Sequence, residues 1–414
     1  MSTQAASSSG TGASSAGKLF AASCFALVVS SVAFGIRADI TGDLATHFNS
    51  TKELVGWSIG GAFWGFTIAI FIGGQLCDWL GMKALILMAC LLQIIGVAGT
   101  VLAPSLPVLA MATLAIGLGN GLVEAIINPL VATIYPESKT HKLNLLHAWW
   151  PGGIVIGALI GYLLGQVHAT WQIKMLVVFV PALIYGIMFI GLKLPKTERV
   201  QSGVSTGEMY KEIFRPLFLV FLVCMLLTAA TELGPQQWMP TITEKVAGQG
   251  ILVLVWITLI MWIGRLFAGP VVHKLAPNGM LVGSAIVSAI GLLLLSYAAT
   301  KTGVYAAAAV FAVGVCYFWP TMLGTTSERF PKGGALLMGL MGAAGMFSAG
   351  SAQPFIGHLL DKFKDHPTEA VRVFAILPAA LVVIFGIILL SDIGKGGYKA
   401  VKLDEVEQAP TSEC

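Results

Sequence analysis

The stretch GLGNGLVEAIINPLVATIYPESKTHKLNLLHAWWPGG (117–153) decides how this chain is read. It begins as an apolar helix suited to lipid, yet it carries a glutamate, Glu124, with only uncharged residues for about ten positions on either side. A charge at that depth is costly, about 2.5–3.5 kcal/mol for an aspartate at a helix centre on insertion scales. At a rise of about 1.5 Å per residue, Glu124 lies roughly 15 Å from the end of its segment, near the middle of a bilayer. A carboxyl group placed there tends to take up a proton, because burial disfavours its charged form.

Of the 414 residues, 56% are hydrophobic and 11% are charged, against about 25% charged in soluble globular chains. A helix needs about 20 apolar residues to cross the hydrocarbon layer. Twelve such runs follow one another, at 19–40, 54–77, 83–103, 106–134, 142–166, 171–193, 216–240, 250–272, 279–299, 302–325, 333–361 and 370–392. The reading is an all-α membrane protein, since a helix satisfies its own backbone hydrogen bonds in lipid. The connections are too short for a soluble domain, so any function resides in the bundle or at its mouths.

Lysine and arginine collect in the loops on the side of the N-terminus, fifteen against five, which places both termini in the cytoplasm by the positive-inside rule. Residues 1–18, rich in Ser, Ala and Gly, read as a disordered cytoplasmic tail, and 393–414 as a second tail. Six cysteines show no metal-ligand spacing and read as core-filling thiols. The net charge of +4 restates the loop bias and gives no reason to invoke nucleic acid.

The longest polar interruption, 194–215, divides the chain into bundles at 19–193 and 216–392. Three weak matches between them agree in spacing: Asn128-Pro129 with Trp319-Pro320, GYLLGQ at Gly161 with GHLLDK at Gly357, and GQLCDWLGMK at Gly74 with GPVVHKLAPNG at Gly269. Offsets of about 191–196 are what a duplicated six-helix unit predicts, and two such units on a pseudo-twofold axis leave a cavity between them near the midplane. The 48 glycines, many spaced as in GGIVIGALIGYLLG (152–165), allow helices to approach closely.

GGQLCDWLGMK (73–83) resembles the signature between the second and third helices of the major facilitator superfamily, with Gly74, Asp78, Gly81 and Lys83 matching and Trp79 in place of its usual arginine. Within that superfamily the chain resembles the fucose, galactose and hexose proton symporters. EAIINPLVATIYP (124–136), KLNLLHAWWPGGIVIGALIG (142–161), FWPTMLG (318–324) and RADITGDLATHF (37–48) carry this likeness. It implies the superfamily's fold of twelve transmembrane helices in two pseudo-symmetric six-helix bundles, alternating access, and a location in a bacterial inner membrane, as a monomer. It also implies proton coupling at Glu124 and at Asp43, with Asp39 one turn away as the rival for the second role, and a gating role for Gly74, Asp78, Gly81 and Lys83. Glu328-Arg329, in the matching loop of the second half, is expected to assist.

Residue chemistry extends this list. Asn128 shares the face of Glu124 by the i,i+4 rule and can bond the carboxyl or a hydroxyl of a solute. Pro129 removes a backbone donor beside it. Arg37 and Glu232 stand 195 residues apart, at nearly equivalent points of the two halves, and are expected to pair within the membrane. Sugars are held by aromatic faces and by amides or acids at their hydroxyls; the candidates are Asn128, Asn144, His147, Gln236, Gln237, Trp238, Trp319 and Gln353. No phosphate loop, metal cluster or nucleophile setting points to an enzyme or to a bound cofactor. The expectation is a sugar symporter with protons as the coupling ion; sodium would want several more oxygen ligands. The alternatives are another small polar solute, sodium coupling, or a membrane sensor that binds solute without moving it.

Overall fold

The computed structural model describes residues 6–135, 139–195 and 206–400. Among the described residues all regular structure is helical. The first half comprises α1 (Ala6–His47), α2 (Lys52–Leu80), α3 (Met82–Val101), α4 (Leu106–Ile134) and α5 (Lys139–Gln166), then a sixth span divided into α6 (Trp171–Leu176) and α7 (Phe179–Ile190). After the short α8 (Thr206–Ile213) come α9 (Pro216–Ala247), α10 (Gly250–Leu266), α11 (Ala268–Ser296), α12 (Lys301–Val315) with α13 (Phe318–Arg329), α14 (Gly334–Lys362), and α15 (Ala370–Phe374) with α16 (Ile376–Gly394).

The twelve expected spans all fall on helices. Among the described residues ten stretches are long and apolar enough to cross a membrane, and α10 is a shorter apolar helix. Two expectations change. Residues 6–18, read as a disordered tail, continue α1 toward the N-terminus, since extending an existing helix avoids the cost of nucleating one. The polar linker carries α8 with an apolar and a polar face. Gly81, at φ 78°, makes the reversal between α2 and α3, a left-handed conformation that glycine adopts without strain.

Within the halves α1 lies on α5, α2 and α3 on α4, α9 on α14, and α11 on α12. Missing side chains permit these approaches: a Cβ at Gly35 of α1 would stand 2.7 Å from the carbonyl oxygen of Ile154 in α5. Between the halves α2 meets α14 and α5 meets α10, with α1 beside α9. A twofold axis that exchanges α2 with α10 and α5 with α14 maps these contacts onto one another, as a duplicated unit requires.

The two ends of the bundle differ. On the face of the 48–51 loop, Asp361 at the end of α14 accepts the backbone N–H of Lys52 and Glu53 at the start of α2, at 3.4 and 3.0 Å. His358 Nδ1 is 2.9 Å from Glu53 Oε2, and Thr41 reaches Thr241 at 3.5 Å. These ties join the halves. On the opposite, basic face, Arg329 binds Asp392, Tyr398 binds Glu328, and Lys83 Nζ donates to the Ile190 carbonyl at 2.7 Å, each within one half. The structure is therefore shut at the face of the 48–51 loop.

Gly56 of α2 packs where a Cβ would meet the Gln353 carbonyl oxygen at 2.7 Å. Gly56→Val should hold that face open: overpacking costs about 1–3 kcal/mol in the closed form. A thiol reporter at Thr241→Cys is expected to label at least about fivefold faster from that side, since roughly 1 kcal/mol changes a population ratio about fivefold. Unchanged labelling would contradict the assigned seal.

Candidate functional site

A small cavity of about 10 Å³, roughly room for one water molecule, lies between the halves, lined by Glu124, His147, Trp150, Glu232, Leu233, Arg265, Trp319 and Met346. That is far below the roughly 300–1,000 Å³ of ligand pockets, so in this conformation the space is closed around its lining. Helices α4 and α5 of one half and α9, α10, α13 and α14 of the other contribute to it.

Two polar chains meet there. Glu124 is 3% exposed and accepts the Asn128 side-chain N–H at 3.1 Å; the Asn128 Oδ1 in turn stands 3.0 Å from His147 Nε2. With Asn128 donating to the carboxylate, its oxygen is left to accept, so His147 carries its proton on Nε2. From the other half, Glu232 and Arg265, on α9 and α10, form a buried ion pair at 3.0 Å, and Arg265 Nε also donates to the Cys316 carbonyl at 2.8 Å. The second oxygen of Glu232 has no hydrogen-bond partner. The cavity thus offers one carboxyl on an amide–imidazole chain, one carboxylate held by an arginine, and two indole faces.

The expected residues divide. Glu124, Asn128, His147 and Trp319 come together as expected, and Trp150 joins them. Glu232 is at the cavity, but its partner is Arg265 and not Arg37: α10 packs beside α9 and brings a guanidinium within reach, whereas equivalent positions of a repeat need not face each other across the axis. Gln236, Gln237, Trp238 and Gln353 are fully buried, one or two turns from the cavity residues Glu232, Leu233 and Met346 toward the 48–51 face. Asp43 is exposed at the end of α1, while its rival Asp39 is engaged by Lys174 Nζ at 2.7 Å. The side chains of Asn144 and Asp78 lie outside the described residues, as does placement around Gly74 beyond its helix.

Lys83 serves the last turn of α7 through the Ile190 carbonyl, a favourable site for a cation. Glu328 and Arg329 bind Tyr398 and Asp392, and the Arg329 guanidinium lies 4.9 Å from the Tyr398 ring centroid. Burial, and then the neighbouring Glu328, push the Tyr398 phenol well above its usual range. Arg265 is the residue that sequence reading passed over. Its signal was present, a lone charge in the apolar run LVLVWITLIMWIGRLF (252–267), of the same kind that marked Glu124.

A profile of the Major Facilitator Superfamily matches residues 19–335. An uncharacterized MFS-type transporter of Mycobacterium tuberculosis is 33% identical over 94 residues, 23% of this chain and 22% of that protein. The uncharacterized MFS-type transporter YhjO of Bacillus subtilis is 30% identical over 165 residues, 38% of this chain and 40% of that protein. The matched part thus spans about a fifth to two fifths of these relatives. The E. coli xylose transporter XylE, in a partially occluded inward open conformation, superposes with a TM-score of 0.76 at 12% identity, covering 90% of this chain and 98% of that one. The E. coli fucose:proton symporter FucP, in its outward conformation, gives 0.65 at 17% identity over 89% and 98%. Identities this low speak for the fold alone, but the profile covers most of the chain, and with the two six-helix halves it leads to one conclusion: the chain is an integral, multi-pass membrane transporter belonging to the Major Facilitator Superfamily.

Proposed function

We propose that the protein is a proton-coupled symporter of a sugar or a similar polyhydroxylated solute, working by alternating access, with both termini in the cytoplasm. The observation that carries this reading is Glu124: a carboxyl group 3% exposed, at mid-depth, lining a small cavity between two halves that Asp361 ties at the 48–51 face and Thr67, donating to the Ala343 carbonyl at 3.2 Å, ties deeper in the boundary. A group so placed meets water from whichever side the cavity opens to. It takes a proton on one side and returns it on the other.

Asn128 and His147 complete the arrangement. When Glu124 is ionised, the Asn128 amide donates to it; when it is protonated, its own O–H becomes a donor for a solute hydroxyl. Trp150 and Trp319 supply flat apolar surface for the C–H face of a sugar ring, and unpaired Glu232 Oε2 accepts from a hydroxyl. The basic loops support the orientation. Asp43, exposed at the end of α1, stands apart from this chain, so the reading gives coupling to Glu124. Glu232 is held by Arg265 and acts as a fixed acceptor.

In liposomes, Glu124→Gln is expected to abolish solute accumulation driven by an inward proton gradient and to retain exchange between equal pools. Accumulation at the wild-type level would remove Glu124 from coupling. Asn128→Ala leaves two buried groups without partners at about 1–3 kcal/mol each. It should raise KM about tenfold or more, since 1.4 kcal/mol is a factor of ten in affinity, and an unchanged KM would remove Asn128 from the site. Arg265→Gln strands Glu232 and is expected to lower thermal stability by about 3–5 kcal/mol. The double variant Glu232→Gln/Arg265→Gln should recover most of that loss in a melting experiment, whereas equal loss in both would mean the pair is not the cause.

A further inference from the structure

Arg37 of α1 is 3% exposed, and its Nε and Nη1 atoms have no hydrogen-bond partner. Among the described residues its guanidinium faces the Phe63 ring, 5.9 Å from the centroid, and no carboxylate. Further buried polar groups lie on α9 and α14, on the side of the cavity toward the 48–51 face. Phe34, one turn from Arg37, stacks edge-on against Phe63 and lies 6.2 Å from Trp150 of the cavity wall. Gln237 crosses from the other half to donate to the Phe34 carbonyl at 3.5 Å. The side-chain oxygens of Gln236, Gln237 and Gln353 and the indole N–H of Trp238 are buried without partners.

A buried charge is kept when it is paired, and among the described residues the other interior charges have partners. Glu232 holds Arg265, Asp39 holds Lys174, and Glu124 accepts from Asn128. Asp43 is exposed at the helix end. Arg37 is left as a planar fork of donors, the geometry that binds a carboxylate through two parallel hydrogen bonds, with the Gln237 amide, suited to a hydroxyl, held one turn away at Phe34.

We infer that Arg37 receives a carboxylate of the solute, so that the transported class is a polyhydroxylated monocarboxylic acid, a sugar acid. This rests on the reading of Glu124 as the proton carrier. With the two ion pairs neutral and His147 uncharged, the empty carrier balances ionised Glu124 against Arg37. The fully loaded carrier balances Arg37 against the solute anion while Glu124 is protonated. Either ligand alone leaves a net charge in a medium of low dielectric. Proton and anion therefore favour each other's binding, which is the reciprocal linkage that coupling requires. The loaded and empty carriers cross with no net charge, whereas a neutral sugar with a proton would carry one.

The test uses the full chain in liposomes with radiolabelled D-gluconate, D-galacturonate, D-galactose and L-fucose, an imposed pH gradient, and separately an imposed potassium diffusion potential. We expect a sugar acid to accumulate on the pH gradient, with an initial rate that the potential changes less than twofold. A 100-fold excess of either neutral sugar should leave that rate unchanged. Arg37→Gln should lower sugar-acid uptake at least 100-fold, and Arg37→Lys, which keeps the charge and loses the fork, about tenfold. Should D-galactose or L-fucose accumulate with a rate that the potential drives, undiminished by sugar acids, the inference is overturned and proton-coupled sugar transport stands. Failure of all four to accumulate would overturn the polyhydroxylated class and this inference with it.

Discussion

The price of placing charge in a medium that cannot solvate it organises this molecule. Among the described residues the buried acids meet that constraint with different partners. Glu232 meets it with Arg265, and Asp39 meets it with Lys174. Glu124 rests on an amide that is itself held by an imidazole. A salt bridge has only one low-energy protonation pattern, so it fixes geometry. The two acids of the cavity are chemically alike, and their partners set them apart: a guanidinium holds Glu232 and a neutral amide holds Glu124.

Much of this was legible in the residues. The twelve spans follow from runs of apolar side chains, the two halves from the polar break at 194–215, and the Glu124–Asn128 pair from helical spacing, because each depends on neighbours within one segment. What escaped depends on contacts between segments. The partner of Asp39 is 135 residues away in sequence, so spacing could not separate Asp39 from Asp43; the fold engages the first and leaves the second at the surface. Arg37 and Glu232 occupy matching places in the repeat, but matching places are related by rotation about the axis, which does not aim their side chains at each other. The guanidinium that reaches Glu232 comes from the next helix along.

The glycines show the same dependence from the packing side. Their abundance was plain in the sequence, but which of them admit a neighbouring backbone was not. At Gly35 the approach joins α1 to α5 within one half, and at Gly56 it joins α2 to α14 across the halves. The first kind keeps a bundle rigid. The second lies on the boundary between the halves, where backbone meets backbone at Gly56 and the Trp64 ring fills the space left at Gly350.

Asp361 shows what such a boundary is made of at its rim. Its carboxylate fills the place of a helix cap, yet it belongs to the other half from the helix it caps. The side chains of His358 and Glu53 beside it are 58% and 44% exposed. Parting the rim would hand two amide protons and three polar side chains to water that already wets them, and water replaces such bonds at small net cost. A lid of interlocked aromatic rings would instead expose apolar surface at each opening. A clasp of this kind is nearly isoenergetic with its own solvated form, so small differences in what occupies the interior suffice to decide whether it is fastened.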